Sequence, residues 1–354
     1  MSVDEESVNL LEFSPAGGCA CKFPFERMNS FLAAVDQLIA GSGAHTEIHS
    51  DSRSRDDAAL YKISDESLLA LSVDFGTPVC QDATTWGAIA ASNAVSDIYA
   101  VGAKPFLALS ILGWPEQLSE KGIASLTAGA IEALNNCSTL LVGGHSIVSQ
   151  VPIFGLCVIG SAHPNNVMLI SNAEPGDHLI ITKPIGTGIL VASQKVSLAT
   201  DTAITAAQEL MKSSNREPSE IAVELGIDAA TDITGYGLIG HLHNMLTASR
   251  CSAILELPKI PILPEVIDIL NTHGVVPNSA ERNYFAFEEF VEWSQVPPAV
   301  RIVLSDPQTS GGLLLAASPD QSEMLLTKCR ERGILAVSIG TVVDGPPGAI
   351  TVAC

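Results

Sequence analysis

The apolar positions Phe31, Leu32, Val35, Leu38 and Ile39 recur at helical spacing and predict an amphipathic helix over 27–40, packed by one face. The stretch that follows, 41–54, is polar and reads as mobile. Arg55-Asp56-Asp57-Ala58-Ala59-Leu60 leads into a strand, and Leu68 to Val73 forms a second that ends at Asp74. Residues 86–101, rich in Ala and Ile, read as a helix with Asn93 and Asp97 four apart on one face. An aspartate flanked by Val95 and Ile98 there is not expected to be simply exposed. Strand 105–113, helix 116–135 and strands 139–142 and 153–161 complete the first half. Cys137 to Ala162 carries no Asp, Glu, Lys or Arg and is long enough for a membrane span. Gly143-Gly144-His145-Ser146 and Ser149-Gln150-Val151-Pro152 interrupt it, so two buried strands and a loop fit better.

His163-Pro164-Asn165-Asn166 is a natural boundary. Beyond it the pattern restarts with a strand at 178–182, the turn Lys183-Pro184-Ile185-Gly186-Thr187-Gly188, an apolar helix, and helices near 203–212 and 219–225. Ala230 to Gly237 leads into a helix over 238–247; strands are expected at 253–257, 312–317 and 335–343, and a helix at 321–332. Alternating strands and helices predict a mixed α/β, α+β fold. The expected division is an N-terminal segment with its first helix over 1–50, an α/β domain over 51–165 and a second over 166–354.

Composition supports that division, because 354 residues exceed one ordinary core. Charged residues are only 16%, below the roughly 25% typical of such chains, which suggests apolar surface covered in an oligomer. Eighteen Lys and Arg against 39 Asp and Glu leave a net charge of −21. That field disfavours nucleic acid and anionic membrane as partners. Binding an anion would then require local screening by metal, by Lys or Arg, or by backbone N–H groups. Met1 to Glu12 shows no apolar signal core, so a cytoplasmic location is expected. The eight cysteines are scattered apart from Cys19 and Cys21, and indicate neither a zinc framework nor a disulfide scaffold.

Gly17-Gly18-Cys19-Ala20-Cys21-Lys22 places two thiols and an ammonium on a flexible backbone, where the lysine is expected to lower the pKa of its neighbouring thiol. The plain alternative is an N-terminal tail that happens to carry cysteines. Asp57, Asp74, Asp97 and Asp232 fall at element boundaries or on an apolar helix; each alone reads equally as a turn or cap residue. If they converge, their repulsion requires cations, and hard oxygen ligands suit Mg²⁺ or Mn²⁺ beside phosphate. Gly143-Gly144-His145-Ser146, Gly186-Thr187-Gly188 and Ser310-Gly311-Gly312 read as turns that could offer N–H groups to phosphate, although none is a Walker loop. His241 and His243 are two apart on a helix, do not share a face, and read as structural.

Taken in order, Gly18-Cys19-Ala20-Cys21-Lys22, Arg55-Asp56-Asp57-Ala58-Ala59, Asn93 to Ile98, Gly143 to Ser146, Thr231-Asp232-Ile233-Thr234-Gly235 and Asp306 to Gly312 resemble the selenophosphate synthetase (selenide, water dikinase) family. The resemblance runs from about Phe13 to Val343. It implies a two-domain aminoimidazole-ribonucleotide-synthetase-like fold, with 51–165 as the ATP-binding and dimerisation domain of a homodimer with shared sites. It also implies the conversion of ATP, selenide and water into selenophosphate, AMP and orthophosphate. By position, Cys19 and Lys22 would be catalytic. Asp57, Asp97 and Asp232 would hold Mg²⁺, while Lys22, Ser54, Arg55, Asp56, Asp74 and Asp97 would lie along ATP. Gly144, His145 and Ser146 would reach ATP from the partner subunit. The sequence departs from the family pattern at Ala20, at Ser72-Val73 and in the loop 277–283, so Arg282 and Asn283 are given no role. Alternative readings are another kinase or synthetase of the superfamily, such as a thiamine-phosphate kinase, and an inactive nucleotide- or selenium-binding homologue.

Overall fold

The structure is a computed structural model that describes residues 9–14, 17–40, 47–50 and 54–354. A short 3₁₀ turn at Cys19–Cys21 precedes α1 (Phe25–Ala40). Then come β1 (Ile48–Ser50), β2 (Ala59–Ser64), β3 (Ser67–Gly76), α2 (Ala83–Ala100), β4 (Lys104–Trp114), α3 (Glu120–Asn136), β5 (Leu140–Val148) and β6 (Ile153–Ala162). The strands form one sheet in the order β1-β2-β3-β6-β4-β5, antiparallel except where β4 and β5 run parallel. Within the stretch expected to be mobile, Ile48–Ser50 pairs with β2, while 41–46 and 51–53 lie outside the described residues.

One face of this sheet is covered by α2, on which α3 packs. The two helices touch backbone to backbone. A Cβ on Gly87 would fall 1.9 Å from the Leu126 carbonyl oxygen, and one on Gly129 would fall 1.9 Å from that of Thr84. The α2 N-terminus is capped by the Asp82 carboxylate, which accepts from the Thr85 N–H at 2.6 Å. Among the described residues nothing covers the opposite face of the sheet, and Val73, Phe75 and Ile147 are exposed there or along its edge.

The second half contains β7 (His178–Ile181), α4 (Thr187–Lys195), α5 (Asp201–Lys212), α6 (Arg216–Glu224), β8 (Ala229–Asp232), α7 (Gly237–Ser249) and β9 (Ser252–Glu256). It continues with α8 (Val266–His273), α9 (Asn278–Phe287), β10 (Val291–Glu292), α10 (Pro298–Leu304), β11 (Leu313–Ala317), α11 (Pro319–Glu331), β12 (Val337–Val343) and β13 (Ile350–Ala353). Its sheet runs β10-β13-β9-β12-β7-β11-β8, with β10, β13 and β9 parallel neighbours. The sequence pattern gave no sign of α8, α9, α10, β10 or β13. Helix α2 also packs against β8, α5 and α6, so one apolar helix belongs to the cores of both halves. Asp97 on α2 is thereby carried to Asp232 at the end of β8.

One expected feature is overturned. The segment Gly143-Gly144-His145-Ser146 is not a turn but the middle of β5, and β5 is an exposed edge strand rather than a buried one. Glycine is required there by proximity: a Cβ on Gly144 would stand 2.1 Å from Ser110 Oγ on β4. Among the described residues, no helix is long and apolar enough to cross a membrane.

Candidate active site

The end of β8, the start of β2 and the inner face of α2 bring Asp232, Asp57 and Asp97 together. Each is steadied by a hydroxyl one or two residues from a site carboxylate. Ser96 Oγ donates to Asp232 Oδ2 at 2.6 Å and Thr231 Oγ1 to Asp57 Oδ1 at 3.1 Å, while Ser72 Oγ donates to Asp97 Oδ2. Asn215 Nδ2 donates to Ser96 Oγ at 2.9 Å, which fixes that hydroxyl's direction. Asp57 Oδ2 and Asp232 Oδ1 are buried yet accept no hydrogen bond.

Burial and mutual repulsion push all three carboxyls up. For Asp57 burial comes first, then the charges of Asp232 and Asp97; for Asp97, burial, then Asp232 and Asp74. Asp232 rises to about 6, chiefly by burial, against hydrogen bonding from Ser96 and the Lys22 charge. Two buried carboxylate oxygens without donors, among like charges, are the donor set a hard divalent cation satisfies, so the residues present fit magnesium.

His241 places a ring nitrogen within 4.8 Å of ligand atoms of Asp57 and Asp232. Its Nε2 accepts the Thr234 N–H at 3.1 Å, and burial lowers its pKa to about 3, so it is a neutral brace for the 232–237 turn. His243 Nδ1 pairs with the Gly348 carbonyl, 3.0 Å away, and its ring packs on Phe287 and Phe290. His243 is thus held in the packing, while His241 stands beside the carboxylates as well as bracing the turn.

Lys22 reaches this cluster from the other side. Its Nζ donates to Asp74 Oδ2 at 2.9 Å, and Asn93 Nδ2 donates to the same oxygen at 2.8 Å. Asn93 Oδ1 in turn accepts the Ser310 N–H at 2.7 Å. The preceding residues are held by the Gly18 N–H on the Thr77 carbonyl at 3.0 Å. Arg282 and Tyr236 donate from the second half to the carbonyls of Lys22 and Phe23, both at 3.4 Å. Phe25 then packs against Tyr236, His243 and Phe287.

The expectation that Lys22 lowers the neighbouring thiol fails for Cys21. Its pKa is raised because burial of the sulfur outweighs the lysine, with Asp74 adding to the rise, although the residue keeps an exposed outer side. Cys19 lies in the 3₁₀ turn three residues before Lys22, which makes the Asp74 contact; its side chain is outside the described residues.

Under α1, Phe25, Asn29, Arg55, Asp57, Tyr236 and His241 help line a cavity of about 270 Å³. Arg55 donates to Asn29 Oδ1, another residue of its lining. Ser54 is exposed and bonds to Ser50 at 2.7 Å. Asp56 uses both oxygens within the protein: Oδ2 accepts from Ser50 Oγ at 2.6 Å and Oδ1 from the Ile170 N–H at 2.9 Å. It therefore braces the 54–57 loop against the second half. Gly144, His145 and Ser146 stand apart from this cluster on the exposed edge strand.

The two remaining glycine segments are closed to phosphate. At the start of α4, Gln308 Oε1 accepts from the Gly186 and Thr187 N–H groups at 2.9 and 3.1 Å, and Asp306 Oδ2 accepts from the Ile189 N–H at 3.2 Å. The Ser310 N–H is held by Asn93, and the Ser310 carbonyl by Lys183 Nζ at 2.8 Å. Lys183 also donates to the Ser213 carbonyl at 2.7 Å, and burial lowers its pKa to about 7. Sequence reasoning assigned nothing to Ser72, Ser96, Lys183, Gln308 or Arg282. The usable signal was a hydroxyl next to Asp97 and to Asp232, at Ser96 and Thr231.

Residues 55–162 match the family "AIR synthase related protein, N-terminal domain", and residues 174–353 match "AIR synthase related protein, C-terminal domain". The chain is 35% identical over 351 residues to the selenide, water dikinase of Carboxydothermus hydrogenoformans, covering 98% of this chain and 99% of that one. It is 36% identical to that of Shewanella sp. (strain MR-7), over 99% and 97%. Among solved structures, the thiamine-monophosphate kinase of Stenotrophomonas maltophilia K279a aligns with a TM-score of 0.65 at 18% identity, covering 90% and 95% of the two chains. Hydrogenase maturation protein HypE in complex with ATP aligns at 0.64 and 18%, over 80% and 81%. These structures share the fold. Near-complete coverage by relatives more than a third identical, on a frame of AIR synthase related domains, places this chain in the selenide, water dikinase family.

Proposed function

We propose that the protein converts ATP, selenide and water into selenophosphate, AMP and orthophosphate. One observation carries this reading furthest: Lys22, from the Cys-x-Cys-Lys segment, reaches Asp74 beside a carboxylate cluster that leaves two buried oxygens unpaired. Phosphoryl transfer needs mainly positioning and charge stabilisation. Asp57, Asp97 and Asp232 would hold Mg²⁺, which when bound neutralises phosphate charge. Lys22 and Arg55 supply positive charge to the triphosphate in an acidic protein. Ser54 and Asp74 border the nucleotide, with Asp56 acting through the loop it braces. Cys19 is the selenium-specific group, and the segment from Gly17 to α1 closes over the site and excludes water until selenide is present.

The uncovered apolar face of the first sheet supports a homodimer, in which Gly144, His145 and Ser146 on the edge strand would reach the partner's ATP. No targeting segment enters this reading, and a cytoplasmic location is part of it. The assay is AMP release from ATP under anaerobic conditions, with and without selenide. Selenide-dependent AMP supports the reading; ADP formed only with another small-molecule acceptor would replace it with a kinase of the same superfamily. Folded Cys19→Ser protein with unchanged selenide-dependent turnover would remove any covalent role for Cys19.

A further inference from the structure

Between the Cys–Lys segment and α2 lies a second, much smaller cavity of about 20 Å³. Its lining includes the polar residues Asp74, Asn93 and Thr309 with Gly18, and the apolar residues Val79, Trp86, Ile89, Ala90 and Phe154. We propose that this cavity seats the selenide substrate as the HSe⁻ anion. The proposal rests on the activity proposed above and locates within it a substrate with no assigned site.

Size is the first argument. Roughly 10–15 Å³ holds one water-sized guest, so a cavity of about 20 Å³ is of a size for one small anion. The chemistry of the walls is the second. Val79, Trp86, Ile89 and Phe154 are all at most 2% exposed, and such a surface strips hydration from whatever enters. A hard anion loses strong hydration there without compensation. A large, polarisable chalcogenide is weakly hydrated and recovers dispersion against the two aromatic rings, as thioether sulfur does.

Charge is the third. The Asp74 carboxylate faces the cavity and alone would repel an anion, but its Oδ2 receives both Lys22 Nζ and Asn93 Nδ2. That pairing offsets the Asp74 charge and so reduces the repulsion an anion would meet there. Thr309, 9% exposed, adds a hydroxyl to the polar lining. Position is the fourth, because Gly18 precedes Cys19 directly and the polar part of the lining is the one that positions Lys22. The Cys–Lys segment thus forms part of the cavity's own wall, and swinging it away would open the cavity to entering selenide.

Two experiments test this on the full-length protein. Crystals grown with unlabelled methionine and soaked anaerobically in selenide should show a selenium anomalous peak among Gly18, Asn93, Trp86 and Thr309. In solution, Ala90→Val adds methyl groups to the cavity and should raise the KM for selenide about tenfold or more, leaving Mg-ATP affinity within twofold. Thr309→Val keeps the shape, removes the hydroxyl, and should raise the same KM by a smaller factor. An active enzyme whose selenium peak lies elsewhere, or whose two variants fold and keep the wild-type selenide KM, overturns the cavity assignment and leaves the activity standing. A peak in the cavity of an enzyme that shows no selenide-dependent AMP overturns the activity and leaves the binding site standing. If Ala90→Val does not fold, the anomalous peak in the wild-type protein decides alone.

Discussion

The two sides of the site are held in place very differently. The carboxylate side is built into both cores: Asp97 rides on a helix shared by the halves, and Asp232 ends a fully buried strand. Every carboxylate there is fixed by a hydroxyl that is itself positioned by its strand or helix. The Cys–Lys side is a 3₁₀ turn tied by Lys22 to Asp74, by Gly18 to Thr77, and by two long contacts from Arg282 and Tyr236. Repelling carboxyls must be held rigidly, because only the surrounding packing and these hydroxyl hydrogen bonds oppose their separation. A group that closes over substrate needs contacts weak enough to break each turnover. On the function proposed above, the carboxylates that would hold Mg²⁺ sit in the frame, and Cys19 and Lys22 sit on a tether.

Breaking the rigid side should have the largest effect. Asp232→Asn removes a carboxylate proposed above to hold Mg²⁺, and selenide-dependent AMP formation should fall by more than about 10³-fold, since several kcal/mol of charge stabilisation would be lost at 1.36 kcal/mol per tenfold. Mg²⁺-dependent thermal stabilisation should vanish in the same variant. Removing the tether's charge comes next. Lys22→Met should lower turnover by roughly 10²–10³-fold while Mg²⁺ still raises the melting temperature as in wild type. Loss of Mg²⁺ stabilisation in Lys22→Met would erase the distinction between the two sides.

The link between them is Asn93, which holds Asp74 with one end and Ser310 with the other. Asn93→Leu should cost turnover by about tenfold and destabilise the fold by roughly 1–3 kcal/mol, because the Ser310 N–H loses its buried acceptor. Steady-state rates and urea unfolding check the two parts. The smallest effect is on pH dependence. Asp232 is raised from 3.8 to about 6 in the folded protein, so the folded state holds its proton more tightly than the unfolded state does. Its contribution to stability is full below about pH 4 and is lost as pH rises through about 6. Without metal, the melting temperature of Asp232→Asn should therefore gain on wild type by a few degrees between pH 4 and pH 7. Saturating Mg²⁺ should abolish that gain. An unchanged difference across this range contradicts the burial of an uncompensated charge.

The first half of the fold was legible because its helices and strands carry strong periodicity: α2, α3, β3, β4 and β6 lie close to where the apolar pattern places them. The strand β5 was cut short because Gly143-Gly144 reads as a turn. Those glycines instead permit close approach to Ser110, a tertiary requirement invisible along the chain. Helices α8, α9 and α10 are short, at eight, ten and seven residues, so none sustains an apolar periodicity over more than two or three turns. At the site, the aspartates and Lys22 were readable as residue types. What was not readable is which polar groups are already satisfied. Gln308 and Asp306 occupy the N–H groups at the start of α4, and Asp56 is committed to Ser50 and Ile170, so segments that look like phosphate cradles are internal braces. The reverse holds for the thiols, where burial rather than the adjacent lysine decides the state of Cys21.

The central claim is that a magnesium-carboxylate frame and a cysteine–lysine tether together pass a phosphoryl group to selenium. Phosphorus NMR of an anaerobic reaction with ATP, Mg²⁺ and selenide tests it most directly. A new phosphorus signal split by coupling to selenium, growing in step with AMP and orthophosphate, is the predicted result. A spectrum in which ATP is unchanged, or yields only ADP and phosphate whether or not selenide is present, contradicts it.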